Sequence, residues 1–256
     1  MACYPVLLSI PHGGDQIPPE VAEYVSLTER EMLADGDVFT REIYGIREKT
    51  AVVVDTPIAR AFIDLNRAAT DLPPGNPDGV IKSHTCHGVP VYRSDIWNDG
   101  QLVNNLIEKY YFSYHHQLQD QLERYQQRHL VLMLDCHSME AVGPKIAPDS
   151  GVERPSICLG NRSGKSCDTA MTQHMAQSLR RAFELSADQI TINKPFAGGY
   201  ITRHYGNKPV PCLQIELNRG LYLDQTEQGD WDFRINASKI AEMREKFSFA
   251  LELFFS

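Results

Sequence analysis

A chain of 256 residues, 42% of them hydrophobic and 23% charged, has the composition of an ordinary globular protein and can bury one large core. Its net charge of −8 argues against a protein that binds nucleic acid through a general positive field, although a local basic pocket is compatible with it. One domain over residues 1–256 is the simplest organisation, because no repeat, low-complexity tract or linker interrupts the chain.

Cysteine usage and the first residues indicate a reducing cytoplasm. The six cysteines are scattered, with no C-x-x-C pair, so neither a disulfide scaffold nor a thiolate zinc site is expected. The N-terminus lacks the basic start and the cleavage site of a signal peptide. No apolar run reaches the roughly 20 residues of a membrane helix, so no membrane partner is expected.

Strand and helix patterns alternate along the chain, which is typical of an α/β protein. Thr28 and Glu31 have the spacing of a capping box, and Asp37 is the candidate opening residue of a short helix. Extended segments are predicted over residues 6–10, 50–55, 61–67, 130–138, 156–160 and 211–217. Helices are predicted over residues 37–44, 104–127, 168–183 and 237–256. A loop rich in proline and glycine, 71–89, is long enough to predict a lid or a disordered segment.

Two of the predicted strands deliver a histidine at their carboxyl ends, His12 and His137. Open α/β sheets build their sites at that edge, and imidazole with carboxylate suits zinc better than other common ions. A catalytic zinc takes three protein ligands and leaves one position open, so a carboxylate is expected as the third ligand. Asp15 has an H-x-x-D spacing with His12, whereas Asp37 is also explained as a helix N-cap. Spacing alone favours Asp15.

Basic residues and glycines predict a place for an anionic substrate. Arg60 precedes a run that contains Asn66 and Arg67, and a guanidinium grips a carboxylate with two hydrogen bonds while the amide adds a neutral donor. A surface salt bridge is the structural alternative for these arginines. Paired glycines at 198–199 allow a tight turn that positions Arg203, although such pairs also mark ordinary turns.

Glu216 alternates with two apolar neighbours in the predicted strand 211–217, so its side chain points either into a site or to solvent. Beside a zinc-bound water, this carboxylate has the chemistry of a general base that later protonates a departing amine.

Seven motifs carry a family resemblance and occur in the order PHGG (11–14), ADGD (34–37), IDLNR (63–67), VYR (91–93), LDCHS (134–138), GGYITRHYG (198–206) and QIELNRGLY (214–222). Together they resemble the N-formylglutamate amidohydrolase family over nearly the whole chain. That family is related to zinc carboxypeptidases, aspartoacylase and succinylglutamate desuccinylase. The resemblance implies a three-layer α/β/α fold around a central mixed, largely parallel sheet.

The resemblance also implies roles for the candidate residues. One Zn²⁺ is expected, with His12, Asp37 and His137 as its ligands and Asp15 as the reserve, and Glu216 becomes the catalytic carboxylate.

For the substrate, Asn66 and Arg67 resemble an Asn-Arg pair that holds a carboxylate in the carboxypeptidase group. Arg60 and Arg203 would hold a second carboxylate or polarise the scissile carbonyl.

The implied activity is hydrolysis of a small acidic N-acyl amino acid, with N-formyl-L-glutamate as the best candidate and histidine degradation as the suggested pathway. Two alternatives stay open from the sequence. One is a non-catalytic binder of acidic amino acids, for which Glu216 would be unnecessary. The other is a deacylase or peptidase with a different acyl specificity.

Overall fold

The computed structural model describes residues 3–145 and 147–256 and contains eight strands within that part of the chain. These are β1 (Tyr4–Ile10), β2 (Thr50–Asp55), β3 (Leu132–Met139), β4 (Ile157–Gly160), β5 (Ile190–Ile192), β6 (Cys212–Asn218), β7 (Asp224–Gln225) and β8 (Trp231–Asp232). Six of them form the central sheet in the order β2-β1-β3-β6-β4-β5. Only the pairing of β4 with β6 is antiparallel in this sheet, while β7 and β8 form a separate antiparallel pair.

Helices cover both faces of the sheet. They are α1 (Glu29–Asp35), α2 (Thr40–Tyr44), α3 (Gly100–Leu106), α4 (Ser113–Glu123), α5 (Thr169–Ala182), α6 (Tyr200–Tyr205) and α7 (Ala237–Phe255). Successive strand residues point to opposite faces, so Leu7 packs with α3, α4 and α6 whereas Leu8 packs with α2, α5 and α7. The predicted α/β/α fold around a mixed, largely parallel sheet is therefore confirmed. Each of these helices is too short or too polar to span a bilayer.

One face of the sheet becomes polar towards the carboxyl ends of β3 and β6. Asp135 and His137 in β3 lie directly opposite Gln214 and Glu216 in β6. All four side chains are buried. Burying charged groups is costly unless they are paired, so this polar cluster indicates a site and not a packing surface.

One prediction for the middle of the chain is wrong. Residues 61–67 form turns with one isolated bridge, between Ile63 and Ile81, because the Asp64 carboxylate accepts a hydrogen bond from Asn66 N and replaces a strand ladder. The loop 71–89 contains no helix or strand, but its packing argues against a disordered segment. Ile81 and Lys82 within it are fully buried, so this loop is part of the packed interior.

The first helix begins as predicted and the second does not. Thr28 and Glu31 form the capping box of α1, with the Thr28 side chain accepting from Glu31 N and Glu31 accepting from Thr28 N. The next helix, α2, begins at Thr40 and not at Asp37, because Phe39 before it adopts a left-handed backbone with φ of 62°. Asp37 is therefore not a helix cap, and its carboxylate is available for another role.

The helix predicted over 104–127 begins earlier, with α3, continues through a π-helical segment, Ile107–Phe112, and ends with α4 at Glu123. His115 on α4 is buried, and its ring nitrogens contact the Leu65 carbonyl oxygen at 3.0 Å and the Tyr205 hydroxyl at 2.9 Å. These contacts make His115 a packing residue.

We expect His115 to make stability depend on pH. Burial lowers the pKa of His115 from 6.5 to about 4, although the hydrogen bond to the Leu65 carbonyl oxygen opposes that shift. The unfolded chain therefore takes up the proton first, and the free energy of unfolding falls by up to about 3 kcal/mol as pH drops from 6.5 to 4. Urea unfolding at several pH values measures this effect. The free energy of unfolding should depend less steeply on pH in His115→Gln than in the wild type.

The exposed neighbour His116 provides the control for this comparison. His116→Gln should keep the wild-type pH dependence. If the free energy of unfolding falls equally steeply between pH 6.5 and 4 in the wild type and in His115→Gln, His115 is not the source of the pH dependence.

Candidate metal centre

His12, Asp37 and His137 converge at the polar end of the sheet. One ligand atom from each lies within 4.8 Å of the other two, and all three residues are buried. The geometry is specific: Asp37 Oδ2 lies 3.3 Å from His12 Nδ1 and 2.9 Å from His137 Nδ1. His12 follows β1, Asp37 lies between α1 and α2, and His137 is in β3, so three separate segments supply the cluster.

The other nitrogen of each imidazole has a buried carboxylate partner. His12 Nε2 lies 2.8 Å from Asp64 Oδ1, and His137 Nε2 lies 3.2 Å from Asp135 Oδ1. Asn66 Nδ2 also approaches His137 Nε2, at 3.3 Å. Such partners fix the ring orientation and tautomer of metal-binding histidines, so both Nδ1 atoms are directed towards Asp37.

A buried arginine holds the remaining oxygen of Asp37. Arg219 Nη2 lies 3.6 Å from Asp37 Oδ1 and donates to the carbonyl oxygen of Gly36, while Nη1 donates to the carbonyl oxygen of Ala34. These contacts tie the segment after α1 to the end of β6, and they leave Asp37 Oδ2 for the two histidines. Arg219 was not singled out in the sequence, although it lies within the QIELNRGLY motif.

Opposing effects set the charges in this cluster. Burial alone would raise the pKa of Asp37, but hydrogen bonds from His12 and His137 outweigh it and hold that pKa well below its usual range. Burial would lower the pKa of His137, but the charge of Asp135 and hydrogen bonds to Asp135 and Asp37 raise it well above its usual range. The surrounding carboxylates of Asp37 and Asp135 therefore favour positive charge at the His137 imidazole.

These donors fit zinc. Two imidazole nitrogens and one carboxylate oxygen form the ligand set of a catalytic zinc site with an open position, and each imidazole has the outer carboxylate partner that such sites use. Asp15, the ligand that spacing favoured, is exposed and lies outside the cluster. Among the described residues, 3–145 and 147–256, this is the one His/Cys/Asp/Glu group with metal-binding geometry.

Glu216 lies in the same cavity, which has a volume of about 270 Å³ and is also lined by the three cluster residues. Gln214 Nε2 donates to Glu216 Oε1 at 2.8 Å, which orients the carboxyl group. Burial raises the pKa of Glu216 to about 8; His137 opposes this shift, and the charges of Asp37 and Asp135 add to it. A bound cation nearby would lower that pKa, since it favours the charged carboxylate.

The predicted substrate residues separate into two groups. Arg60, Asn66 and Arg67 line the same cavity as Glu216, whereas Arg203 lines a neighbouring one. Arg60 Nε donates to Asp64 at 3.0 Å, and Arg67 Nη2 donates to Asp78 at 2.6 Å, so both guanidinium groups already have carboxylate partners.

The outer carboxylate Asp64 gives a test of the centre. We expect Asp64→Asn to weaken zinc binding by roughly 10- to 100-fold, because a neutral amide no longer supports the imidazole of His12. Competition with a fluorescent chelator measures the affinity. Asp78→Asn is the matched control, since Asp78 shares the arginine partners of Asp64 but contacts neither histidine. Equal zinc affinities for the two variants would refute this role.

The fold and the site define an α/β enzyme suited to metal-assisted hydrolysis, because a buried His–Asp–His set shares a cavity with a carboxyl group of perturbed pKa. Comparison with known proteins identifies the family. The chain belongs to the N-formylglutamate amidohydrolase family, whose sequence model matches residues 4–223. It is therefore an amidohydrolase.

Individual relatives agree with this placement. The N-formylglutamate deformylase of Pseudomonas putida is 29% identical over 229 residues, which cover 87% of this chain and 83% of the relative. The N-formylglutamate deformylase of Pseudomonas aeruginosa is 27% identical over 241 residues, which cover 92% of this chain and 87% of that relative. The crystal structure of an N-formylglutamate amidohydrolase from Ralstonia eutropha JMP134 shares the fold, with a TM-score of 0.75, 19% identity and coverage of 100% of this chain and 94% of that chain.

Proposed function

We propose that this protein hydrolyses N-formyl-L-glutamate to formate and L-glutamate with one bound Zn²⁺. The observation that carries the proposal is the buried set of His12, Asp37 and His137 in one cavity with Glu216. The two Pseudomonas relatives, both N-formylglutamate deformylases, support the choice of substrate.

His12, Asp37 and His137 would hold the metal through the three atoms that already face one another. A bound Zn²⁺ supplies positive charge that polarises the formyl carbonyl and makes a water molecule more acidic. Asp64 and Asp135 keep the two imidazoles oriented, and Arg219 keeps Asp37 in place.

Glu216 carries the proton in this proposal. Its carboxylate removes a proton from the water that attacks the formyl carbon, as the new carbon–oxygen bond forms. When the carbon–nitrogen bond breaks, the same carboxyl group gives the proton to the departing amine nitrogen of glutamate. Gln214 fixes one carboxyl oxygen, so the group keeps its direction through both transfers.

Asn66, Arg60 and Arg67 would orient the amino-acid part of the substrate from the cavity wall. Asn66 is positioned for this role because its Oδ1 accepts a hydrogen bond from Ile201 N at 2.7 Å while its side chain lines the cavity. The two arginines add positive charge next to the cluster, where a carboxylate of the substrate would lie.

A substrate panel tests the activity. Formate release is measured from N-formyl-L-glutamate, N-formyl-L-aspartate and N-formyl-L-glutamine, and acyl release from the acetyl and succinyl derivatives of glutamate. We expect the highest kcat/KM for N-formyl-L-glutamate. A higher kcat/KM for an acetyl or succinyl derivative would instead assign the protein to another acyl specificity.

A further inference from the structure

Arg162 and Arg203 are two arginines near the site that have no carboxylate partner. Neither forms an ion pair with any acidic residue within 3–145 and 147–256, in contrast to Arg60 and Arg67. The Arg162 side chain donates to the Gly198 carbonyl oxygen, at 3.4 Å, and the Arg203 guanidinium lies over the ring of Tyr200. In a chain with net charge −8, two unpaired guanidinium groups beside a site are available for an anion.

Both side chains line one cavity of about 420 Å³. This cavity and the metal-side cavity have part of their walls in common, formed by Asn66, Arg67 and the glycines at 198–199. A molecule that places its amide beside Glu216 therefore lies next to the second cavity. The charged residues around that second cavity are Arg67, Arg162, Arg203 and Asp71, so its net charge is positive.

The backbone holds Arg162 against this shared wall. Arg162 has a left-handed backbone conformation with φ of 53°, which is uncommon for residues other than glycine. Its backbone N–H donates to the Ala197 carbonyl oxygen at 2.8 Å. A Cβ atom at Gly198 would lie only 2.9 Å from Arg162 Cγ. The glycine therefore permits the close approach of the arginine to the wall.

Asp71 is the one acidic residue of the cavity, and it is already satisfied. Both of its carboxylate oxygens accept hydrogen bonds from Asn76 Nδ2, at 2.9 and 3.0 Å. Its partner is a neutral amide, so Asp71 offsets one of the positive charges and leaves the others.

We propose that Arg162 and Arg203 form a subsite for the side-chain carboxylate of the substrate, which restricts it to N-acyl amino acids with an acidic side chain. The inference rests on the proposed function and assigns a place to each of the three polar groups of the substrate. The formyl amide lies beside Glu216, the α-carboxylate lies at the shared wall near Asn66 and Arg67, and the side-chain carboxylate reaches Arg162 and Arg203.

Binding of non-hydrolysable acids tests the subsite without requiring turnover. Calorimetry compares glutarate, which has two carboxylates, with butyrate, which has one, for the wild type, Arg162→Gln and Arg203→Gln. We expect the wild type to bind glutarate at least tenfold more tightly, and each variant to lose roughly 10- to 100-fold in glutarate affinity with little change for butyrate. Arg180→Gln on α5 is the control for net charge, since Arg180 is exposed and packs on the opposite side of the sheet.

The outcomes separate the two proposals. If the wild type binds the two acids equally or binds neither, or if both variants keep the glutarate preference, the subsite is refuted. Thermal unfolding confirms that each variant is folded. Formate release from N-formyl-L-glutamate is measured on the same samples, so a dicarboxylate preference without formate release supports the subsite and refutes the proposed activity.

Discussion

Glu216→Gln should reduce kcat for formate release by roughly 10²- to 10⁴-fold, which is the usual contribution of a general acid or base. The amide has nearly the same shape as the carboxyl group but cannot accept the proton of the attacking water. The zinc content and the affinity for N-formyl-L-glutamate should stay close to those of the wild type, because Glu216 is not part of the His–Asp–His set. Steady-state kinetics, metal analysis and calorimetry measure the three quantities.

Glu153→Gln is the matched control for Glu216→Gln, since Glu153 is exposed and does not line the metal-side cavity. It should leave kcat unchanged. Wild-type turnover in Glu216→Gln would remove this residue from the mechanism. A wild-type protein that binds N-formyl-L-glutamate but never releases formate would instead support the binding protein that the sequence left open.

Asp37→Asn should lower the affinity for zinc by more than the roughly 100-fold that loss of an outer partner costs, because it removes the only carboxylate of the predicted ligand set. Asp15→Asn should have no effect, since Asp15 is exposed and apart from the cluster. Chelator competition measures both affinities, and thermal unfolding checks that both variants are folded. Loss of zinc in Asp15→Asn together with retention in Asp37→Asn would reverse the assignment.

The two histidines were predictable because their signal is local. Each follows an apolar run whose length and composition predict a buried strand, and parallel strands bring their carboxyl ends to one edge. His12 and His137 meet there, with ring centroids 4.8 Å apart. The sequence left two directions open for the Glu216 side chain, into a site or to solvent. The register of β6 against β3 decides between them, because it places Glu216 opposite His137.

The acidic residues around the histidines were harder to predict because they are placed by turns. Helix capping explains Asp37 equally well from sequence, and only the left-handed Phe39 moves the helix start away from it. Asp64 lies in a segment that has the pattern of a strand, but its own side chain stabilises a turn and so reaches His12. Local competition between side chain and backbone cannot be resolved from spacing alone.

The arginines could not be ranked from sequence because their partners are distant in the chain. Arg60 and Arg67 pair with Asp64 and Asp78, which reduces their freedom to bind a substrate carboxylate. Arg162 has no motif of its own and follows β4, whose pairing with β6 is the one antiparallel pairing of the central sheet. Its position beside the cavity depends on a left-handed residue and a glycine from another segment, which only the folded chain brings together.

The most direct test of the central claim is to measure formate release against bound zinc in the purified wild-type protein. The protein is treated with a chelator, its zinc content is determined by mass spectrometry, and zinc is returned in known amounts. We expect no turnover of N-formyl-L-glutamate without metal, and activity that rises linearly to a plateau at one zinc per chain. Full activity in the metal-free protein would contradict a zinc centre at His12, Asp37 and His137.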